Sequence, residues 1–573
     1  MASSPATRKF LITGDLLYCL GEQIHDRQSL SSLCLVSKSF NRIFSHFLYR
    51  ELWFCENNRD WLLQEDNLKM LLANERLKHV KKLSFAVYQG VDTNDYTEYQ
   101  PDDVIVLFND GVSELLTKVP TLESFSWLGH PIHNTTLNTV QAECEALTDL
   151  TVIYPSNSNL QQGSKLTPDG SKFIQGLIDD RLAPGLPTFK NLKRLHIHNM
   201  WGTSLTVWRK SITSILKHSP NLSHLGLSIS NSTRRLCMAE SGNENSKPDH
   251  AAFFLRELCL AHSKAGCKPL ALQSLHLGHC MFVLRSNEDR GILRPQFPEE
   301  HQDGGCLEVL TDLSRLQDLS LDLLEDVRFG SNEEAWWQTA PGPLPKLEKL
   351  SIRSPTTWIA RWAEGLVQSG TPLRQLRVDE ASPDPGSTME GVRRSALETS
   401  WDYLLRCRPQ ELFLGRHQNA VAALDHVIAA GDSIQLLALY SALQCDIIMF
   451  VASRLPKLEG IWVIEPIERG VGFYYQRLGG FASIQSQKAS WQLTVGRVAQ
   501  VCPTLKWCRI ASVTWRIERV GAGIIRLREL DRMENDSPVV PEIFRVSLPY
   551  TFNYAHAAKY WVNDRDRDPD EPI

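Results

Sequence analysis

Two histidines one residue apart, His196–Ile197–His198, are the first residues whose type and spacing could do chemistry. On a strand both imidazoles would share one face, which is half of a metal site. No third ligand stands near them in sequence, so they read as a polar strip on a sheet. His279–Cys280 and the pair Cys502 and Cys508 read as buried thiols rather than a ligand set. Gly521–Ala522–Gly523 is a fragment of a phosphate loop and reads as a turn. No P-loop, no G-x-G-x-x-G after a strand, no H-E-x-x-H, no C-x-x-C and no G-x-S-x-G elbow occurs. No catalytic residue, metal or cofactor is therefore expected, and the chain reads as a non-enzyme.

Other residues suit recognition. Phe473, Tyr474 and Tyr475 stand together, followed by Arg477 and two glycines, a composition common at binding hot spots. They are candidate substrate-binding residues, and packing at the C-terminal end of the fold explains them equally well. Lys193, Arg194 and His196, and Arg374, Gln375 and Arg377, are polar positions inside a repeated phrase and are expected on its open face.

Composition narrows the partners. Against 66 acidic residues the chain has 61 Lys and Arg, for a formal net charge of -5 over 573 residues. That balance gives no general pull toward nucleic acid. Hydrophobic residues at 42% fit an ordinary folded chain. The most apolar stretch, 434–452, is broken by Gln435, Gln444 and Asp446, so no membrane span is expected. The N-terminal residues lack the shape of a signal peptide, and 13 scattered cysteines read as reduced, so the expected compartment is cytoplasmic, nuclear or both.

The elements that would position these residues come from a phrase of the form apolar, two polar, apolar, one polar, apolar. It occurs as Val80–Lys–Lys–Leu83–Ser–Phe85, Leu122–Glu–Ser–Phe125–Ser–Trp127, Leu147–Thr–Asp–Leu150–Thr–Val152 and Leu192–Lys–Arg–Leu195–His–Ile197. It returns at Leu222, Leu272, Leu316, Leu347 and Leu373, with altered copies at Leu412, Ile434, Leu458 and Leu505. The last two apolar residues alternate with polar ones and so share one face of a strand. Pro120, Pro220, Pro345, Pro456 and Pro503 precede copies of the phrase and are expected to stop the incoming helix and extend the chain. Helical patterns lie between, as at 205–216 and 358–366. Leu350 and Leu376 are 26 residues apart, within a usual repeat period, whereas Leu225 and Leu275 are 50 apart. Polar insertions are expected at 239–250, 285–305 and 381–390. One irregular solenoid over residues 60–545 is the reading; a mixed α/β fold whose strands happen to begin with leucine competes with it.

Residues 10–54 differ. Leu16, Leu17, Leu20 and Ile24 fall on one helical face, the pattern restarts at Leu30, Leu33, Leu35, Val36, Phe40 and Ile43, and a third piece carries Phe47, Leu48, Leu52 and Trp53. Three short helices cannot bury this much apolar surface alone. The run Ile12–Thr13–Gly14–Asp15–Leu16–Leu17, then Leu30–x–x–Leu33–Cys34–Leu35–Val36–Ser37–Lys38–x–Phe40 and Leu48–Tyr49–Arg50, resembles a fungal F-box, with Thr13 where the family usually has proline. With the repeats, the chain resembles fungal F-box proteins with C-terminal leucine-rich repeats. The resemblance implies an α/β fold: a flexible stretch at 1–8, a three-helix F-box at 9–55, the leucine-rich-repeat solenoid, and a charged tail at 561–573. It also implies a substrate-recognition subunit of an SCF (Skp–cullin–F-box) ubiquitin ligase, with an SKP-type adaptor and cullin as partners and a protein substrate held by the repeats. Ile12, Leu16, Leu17, Ile24, Leu30, Leu33, Leu35, Val36 and Phe40 would then dock the adaptor, although some must fill the small domain's own core. A repeat scaffold whose helical N-terminus is only a cap is the other reading.

Overall fold

The computed structural model describes residues 14–24, 27–55, 62–86, 102–128, 132–154, 186–200, 205–229, 254–278, 306–322, 343–353, 357–379, 400–414, 420–440, 445–464, 484–510, 513–521, 523–530 and 540–541. The chain is α/β and divides into two compact units.

The first unit opens with three helices, α1 (Gly14–Gln23), α2 (Arg27–Val36) and α3 (Lys38–Leu48). The break between α2 and α3 is a single residue. Ser37 is extended, with φ -163, and its hydroxyl accepts from the Phe40 N–H at 3.2 Å, which caps α3. Then follow β1 (Glu51–Cys55), α4 (Glu65–Leu72), β2 (Lys82–Ala86), α5 (Asp102–Leu116), β3 (Ser124–Leu128), α6 (Asn134–Glu143) and β4 (Asp149–Ile153). The unit continues with β5 (Arg194–Met200), α7 (Thr206–His218), β6 (His224–Ile229) and α8 (Phe254–Lys264). From β1 to β6 each strand pairs in parallel with the next.

The second unit holds β7 (Ser274–Leu277), and the short α9 (Cys306–Leu310) that follows it in sequence belongs to the first unit. The second unit then runs through β8 (Asp318–Asp322), β9 (Lys349–Arg353), α10 (Thr357–Gln368), β10 (Gln375–Asp379), β11 (Glu411–Leu414), α11 (Ala420–Ala429) and β12 (Leu436–Tyr440). It ends with α12 (Cys445–Arg454), β13 (Gly460–Ile464), α13 (Ile484–Val501), β14 (Trp507–Ile510), β15 (Val513–Val520) and β16 (Ile524–Glu529). Strands β7 to β14 are parallel, and β15 and β16 close the unit as an antiparallel hairpin.

The repeated phrase sets the register. In the second unit Leu275, Leu319, Leu350, Leu376, Leu412, Leu437, Ile461 and Cys508 pair in one column, and Leu277, Leu321, Ile352, Val378, Leu414, Leu439, Val463 and Ile510 in another. Both columns are buried. In the first unit the second column begins with Phe54, Phe85 and Trp127, whose rings stand 5.1 and 5.2 Å apart in succession, and Phe108 of α5 packs on Phe85 and Trp127. Burying each such side chain contributes about 1.5–3 kcal/mol.

The two polar residues of the phrase have a backbone task. Gln317 and Asp318 both donate their N–H groups to the Gln273 carbonyl, Glu348 and Lys349 to Gln317, and Arg374 and Gln375 to Glu348. The same double donation repeats to β14 and, in the first unit, from Arg50 to Lys193. One carbonyl using both lone pairs locks each copy onto the one before.

Helices α5, α7, α12 and α13 end two to four residues before Pro120, Pro220, Pro456 and Pro503, as expected, but the chain does not extend there. In Val119–Leu122, Ser219–Leu222, Leu344–Leu347, Leu455–Leu458 and Cys502–Leu505 the fourth residue's N–H donates to the first residue's carbonyl at 3.0–3.2 Å. Proline is the second residue each time, the place its fixed φ suits in a β-turn. The chain therefore turns at each proline rather than extending, and drops the phrase's first leucine into the core.

Leu52 and Trp53, read from sequence as part of a third helical piece, lie on β1, and Leu52 and Phe54 pair with Leu83 and Phe85. They form a first copy of the phrase that the short apolar run concealed. The helical patterns at 205–216 and 358–366 became α7 and α10. The insertions at 239–250, 285–305 and 381–390 lie outside the described residues. Gly521 and Gly523, with φ of 57 and 87, supply the left-handed turn between β15 and β16. The Arg519 guanidinium, from β15, donates to the carbonyls of Ala499, Cys502 and Leu505 at 2.9, 2.8 and 2.6 Å, capping an α13 whose own last turn has no basic residue.

Candidate interaction faces

The three N-terminal helices sort the nine proposed docking residues. Leu17 and Leu30 are buried with Cys34, Phe44 and Phe47 in the helices' own interior. Gly21 lets α1 approach α3, since a Cβ there would stand 2.3 Å from Cε2 of Phe47, and the Tyr18 ring lies 4.7 Å from the Phe47 ring. Ile24, Leu33 and Phe40 are half-buried. Leu16, Leu35 and Val36 are exposed, at 39%, 83% and 63%, alongside exposed Tyr18 and Leu20. Ile12 lies outside the described residues.

Polar contacts tie these helices to the first strand copies. Arg76 donates to the Tyr49 hydroxyl at 3.1 Å and to Asn41 Oδ1 at 3.0 Å, and its guanidinium lies over the Tyr49 ring. The imidazoles of His46 and His79 lie 3.7 Å apart, tilted by 38°. Burial and then the nearby Lys78 and Arg42 hold His46 below the usual histidine range; burial, His46, Lys78 and Arg76 do the same for His79. Both shifts favour the neutral rings.

His196 and His198 share a face of β5, as their spacing requires, but that face is buried. Their rings stack at 6.1 Å over Gly226 of β6, where an added Cβ would sit 2.2 Å from His196 Nδ1 and 3.1 Å from His198 Nε2. Ser228 Oγ accepts from the Asn199 N–H at 2.9 Å and lies 3.2 Å from His198 Nδ1. Among the described residues no three His, Cys, Asp or Glu side chains come together to hold a metal.

A serine, a histidine and an aspartate do meet in the second unit. Ser274 Oγ lies 2.6 Å from His276 Nε2 and 3.3 Å from Asp318 Oδ2, and Asp318 Oδ2 lies 3.6 Å from the same Nε2. Burial, then the positive Arg377 and Lys349, push His276 down to about 3, so the contact with Asp318 involves a neutral ring. A consistent chain has Nε2–H donating to Ser274 and the serine donating to Asp318. Hydrolytic triads need the carboxylate on the ring nitrogen opposite the serine. Here both groups share one nitrogen, which leaves the hydroxyl unactivated. The buried thiols of Cys144 and Cys407 are pushed up to about 12, and that of Cys508 is raised as well.

Further along the same strand face, two arginines bracket a pair of aromatics. Arg377, Phe413, Ala438, Trp462 and Arg509 occupy one row across β10 to β14. Phe413 and Trp462 are two strands apart, yet their rings meet edge to face at 6.0 Å across the small Ala438. The Arg377 guanidinium lies over Phe413 at 5.5 Å, and Arg509 over Trp462 at 4.5 Å. In the neighbouring row Arg516 lies over Trp507 at 5.8 Å. Sequence reading chose Arg377 for this face but missed the rest, whose members lie one per repeat. Of its other choices, Lys193, Arg194 and Arg374 are exposed and Gln375 is buried. Phe473, Tyr474, Tyr475 and Arg477 lie outside the described residues.

No protein-family model matches the chain, and no curated protein matches its sequence. Among the described residues no helix is long and apolar enough to cross a membrane.

Proposed function

We propose that the chain is a non-catalytic substrate-recognition subunit of an SCF-type ubiquitin ligase, an F-box followed by leucine-rich repeats. Helices α1 and α2 would dock an SKP-type adaptor, which joins the chain to a cullin, and the strand face would hold a protein substrate. The observation that carries this reading is the exposure of Leu16, Leu35 and Val36 on helices whose interior is already filled by Leu17, Leu30, Phe44 and Phe47. Several large apolar side chains bared on so small a group of helices support a surface awaiting a partner. The mechanism is raised effective concentration: a lysine of the substrate is held near a conjugating enzyme carried by another subunit.

A second reading, a repeat scaffold capped by its N-terminal helices, is favoured by the Arg76 and His46–His79 contacts that fasten α3 to the first copies. Full-length protein and an SKP-type adaptor, mixed at high salt and separated by size, decide between them. The ligase reading expects a one-to-one complex that Leu16→Asp with Val36→Asp abolishes while the circular dichroism stays native. A folded protein that forms no complex supports the cap.

A further inference from the structure

Two half-buried imidazoles meet a set of cations where α3 joins the first strand copies. His46 lies on α3, and His79 ends the 3-10 turn Glu75–His79, with the ring centroids 3.7 Å apart. The cations acting on His46 are Lys78 and Arg42; those acting on His79 are Lys78 and Arg76, besides His46 itself. Among the described residues no carboxylate acts on either ring, although Glu75 shares the turn.

Arg76 is already engaged: it donates to the Tyr49 hydroxyl and to Asn41 Oδ1, so it supplies field rather than a free donor. Arg42 and Lys78 are different. Both are exposed, and among the described residues neither side chain has a hydrogen bond or an ion pair. Arg42 and His46 stand four residues apart on one helix and so share a face. Lys78 directly precedes His79 on the turn that packs against that helix. Each neutral imidazole carries one N–H, and no hydrogen bond engages the ring nitrogens of either histidine among the described residues. Like charges gathered without an acid repel one another, and an anion between them reverses the sign of that interaction. The donors also come from two elements. A carboxylate offers two oxygens in one plane, whereas a phosphate offers three acceptor oxygens pointing in different directions, which suits donors on a helix face and on a turn.

We propose that Arg42, His46, Lys78 and His79 bind a phosphate-type dianion, free or as the end of a small phosphate ester, which clamps α3 to the turn leading into β2. This goes beyond the recognition role proposed above and does not depend on it.

The test follows carbethoxylation of each histidine of the full chain at neutral pH by mass spectrometry. Rates are compared in sodium phosphate and in sodium chloride of equal ionic strength, so that screening is the same. Phosphate should slow modification of His46 and His79 at least about threefold, because it covers the rings and keeps protons on them, and should leave exposed His218 unaffected. Arg42→Gln with Lys78→Gln, both at exposed positions, should abolish the difference between the two salts. Glycerol 2-phosphate separates the sources: protection equal to that by inorganic phosphate assigns the site to esters as well, and protection by inorganic phosphate alone assigns it to the free ion. No protection of the wild type, equal protection of His218, or protection that survives both substitutions overturns the proposal. So does protection by zinc chloride with none by phosphate, because the two rings would then be a metal-binding pair. The wild-type comparisons decide by themselves if the double variant loses its native circular dichroism.

Discussion

Gly226→Ala is the sharpest probe of how the strand face is packed. An alanine Cβ would stand 2.2 Å from His196 Nδ1 and 3.1 Å from both His196 Cε1 and His198 Nε2. The first distance lies far inside van der Waals contact, and His196 is buried, so the ring must leave its rotamer or β5 must shift. Overpacking of this kind costs about 1–3 kcal/mol. Gly226 has no left-handed φ, so alanine also gains about 0.4–1 kcal/mol by restricting the unfolded chain. The clash wins, with a net loss of about 1–2 kcal/mol, read as a lower urea midpoint for the transition that reports on the first unit. The reasoning also fixes the rescue: with His196→Ala in the background the same change should become neutral or slightly stabilising, a coupling that a double-mutant cycle isolates. A Gly226→Ala protein as stable as wild type with His196 in place, or one equally damaged without it, refutes the account of two imidazoles seated on a glycine.

Acid should weaken the second unit through His276. Its folded value, about 3, lies below the ordinary value of 6.5, so the unfolded chain binds the extra proton. Stability is then unaffected above about pH 6.5 and falls as pH drops from there toward 3, by about 2 kcal/mol between pH 7 and pH 5. His276→Gln should lose less over that interval in urea titrations; an unchanged loss would show that the ring takes no part. Residue-resolved alkylation of the native protein should label exposed Cys19 fast and Cys144, Cys407 and Cys508 slowly, and bound adaptor should shield Cys19, which lies between Tyr18 and Leu20. Labelling of Cys19 unaltered by a bound adaptor would move the docking surface away from α1.

The strand ladder was legible because its signal repeats: each copy of the phrase places two apolar residues on one face, and one strand after another confirmed the spacing. The first copy, Leu52–Trp53–Phe54, was hidden because a run so short fits both helical and strand periods, and the residues before it are helical. The prolines mark where the helices stop, but the sequence does not show that the carbonyl before each one accepts an N–H two residues beyond it, which makes a turn of what reads as an extension. Helical periodicity grouped Leu16 with Leu17 and Leu30 with Leu35, yet which of them fill the interior depends on Phe44, Phe47 and Gly21 arriving from other turns. His196 and His198 read as polar surface because the sequence does not reveal that Gly226 and Ser228 face them across the strand. The arginine–aromatic row was within reach: aligning the copies on their paired leucines puts Arg377, Phe413, Trp462 and Arg509 at one position of the phrase. Val540, buried with Phe413 and Ala438, carries no such mark, because it joins the row from outside any repeat.

Titration calorimetry of full-length protein with an SKP-type adaptor, comparing wild type with Leu35→Asp plus Val36→Asp, tests the central claim most directly. Both side chains are largely exposed, so the variant should fold as the wild type does. If they are buried on docking, their loss removes about 3–6 kcal/mol, or roughly two to four powers of ten in affinity. Tight one-to-one binding by the wild type and none detectable by the folded variant is the predicted result. Equal binding by the two, or no binding by either, contradicts the claim that α1 and α2 form an adaptor-docking surface.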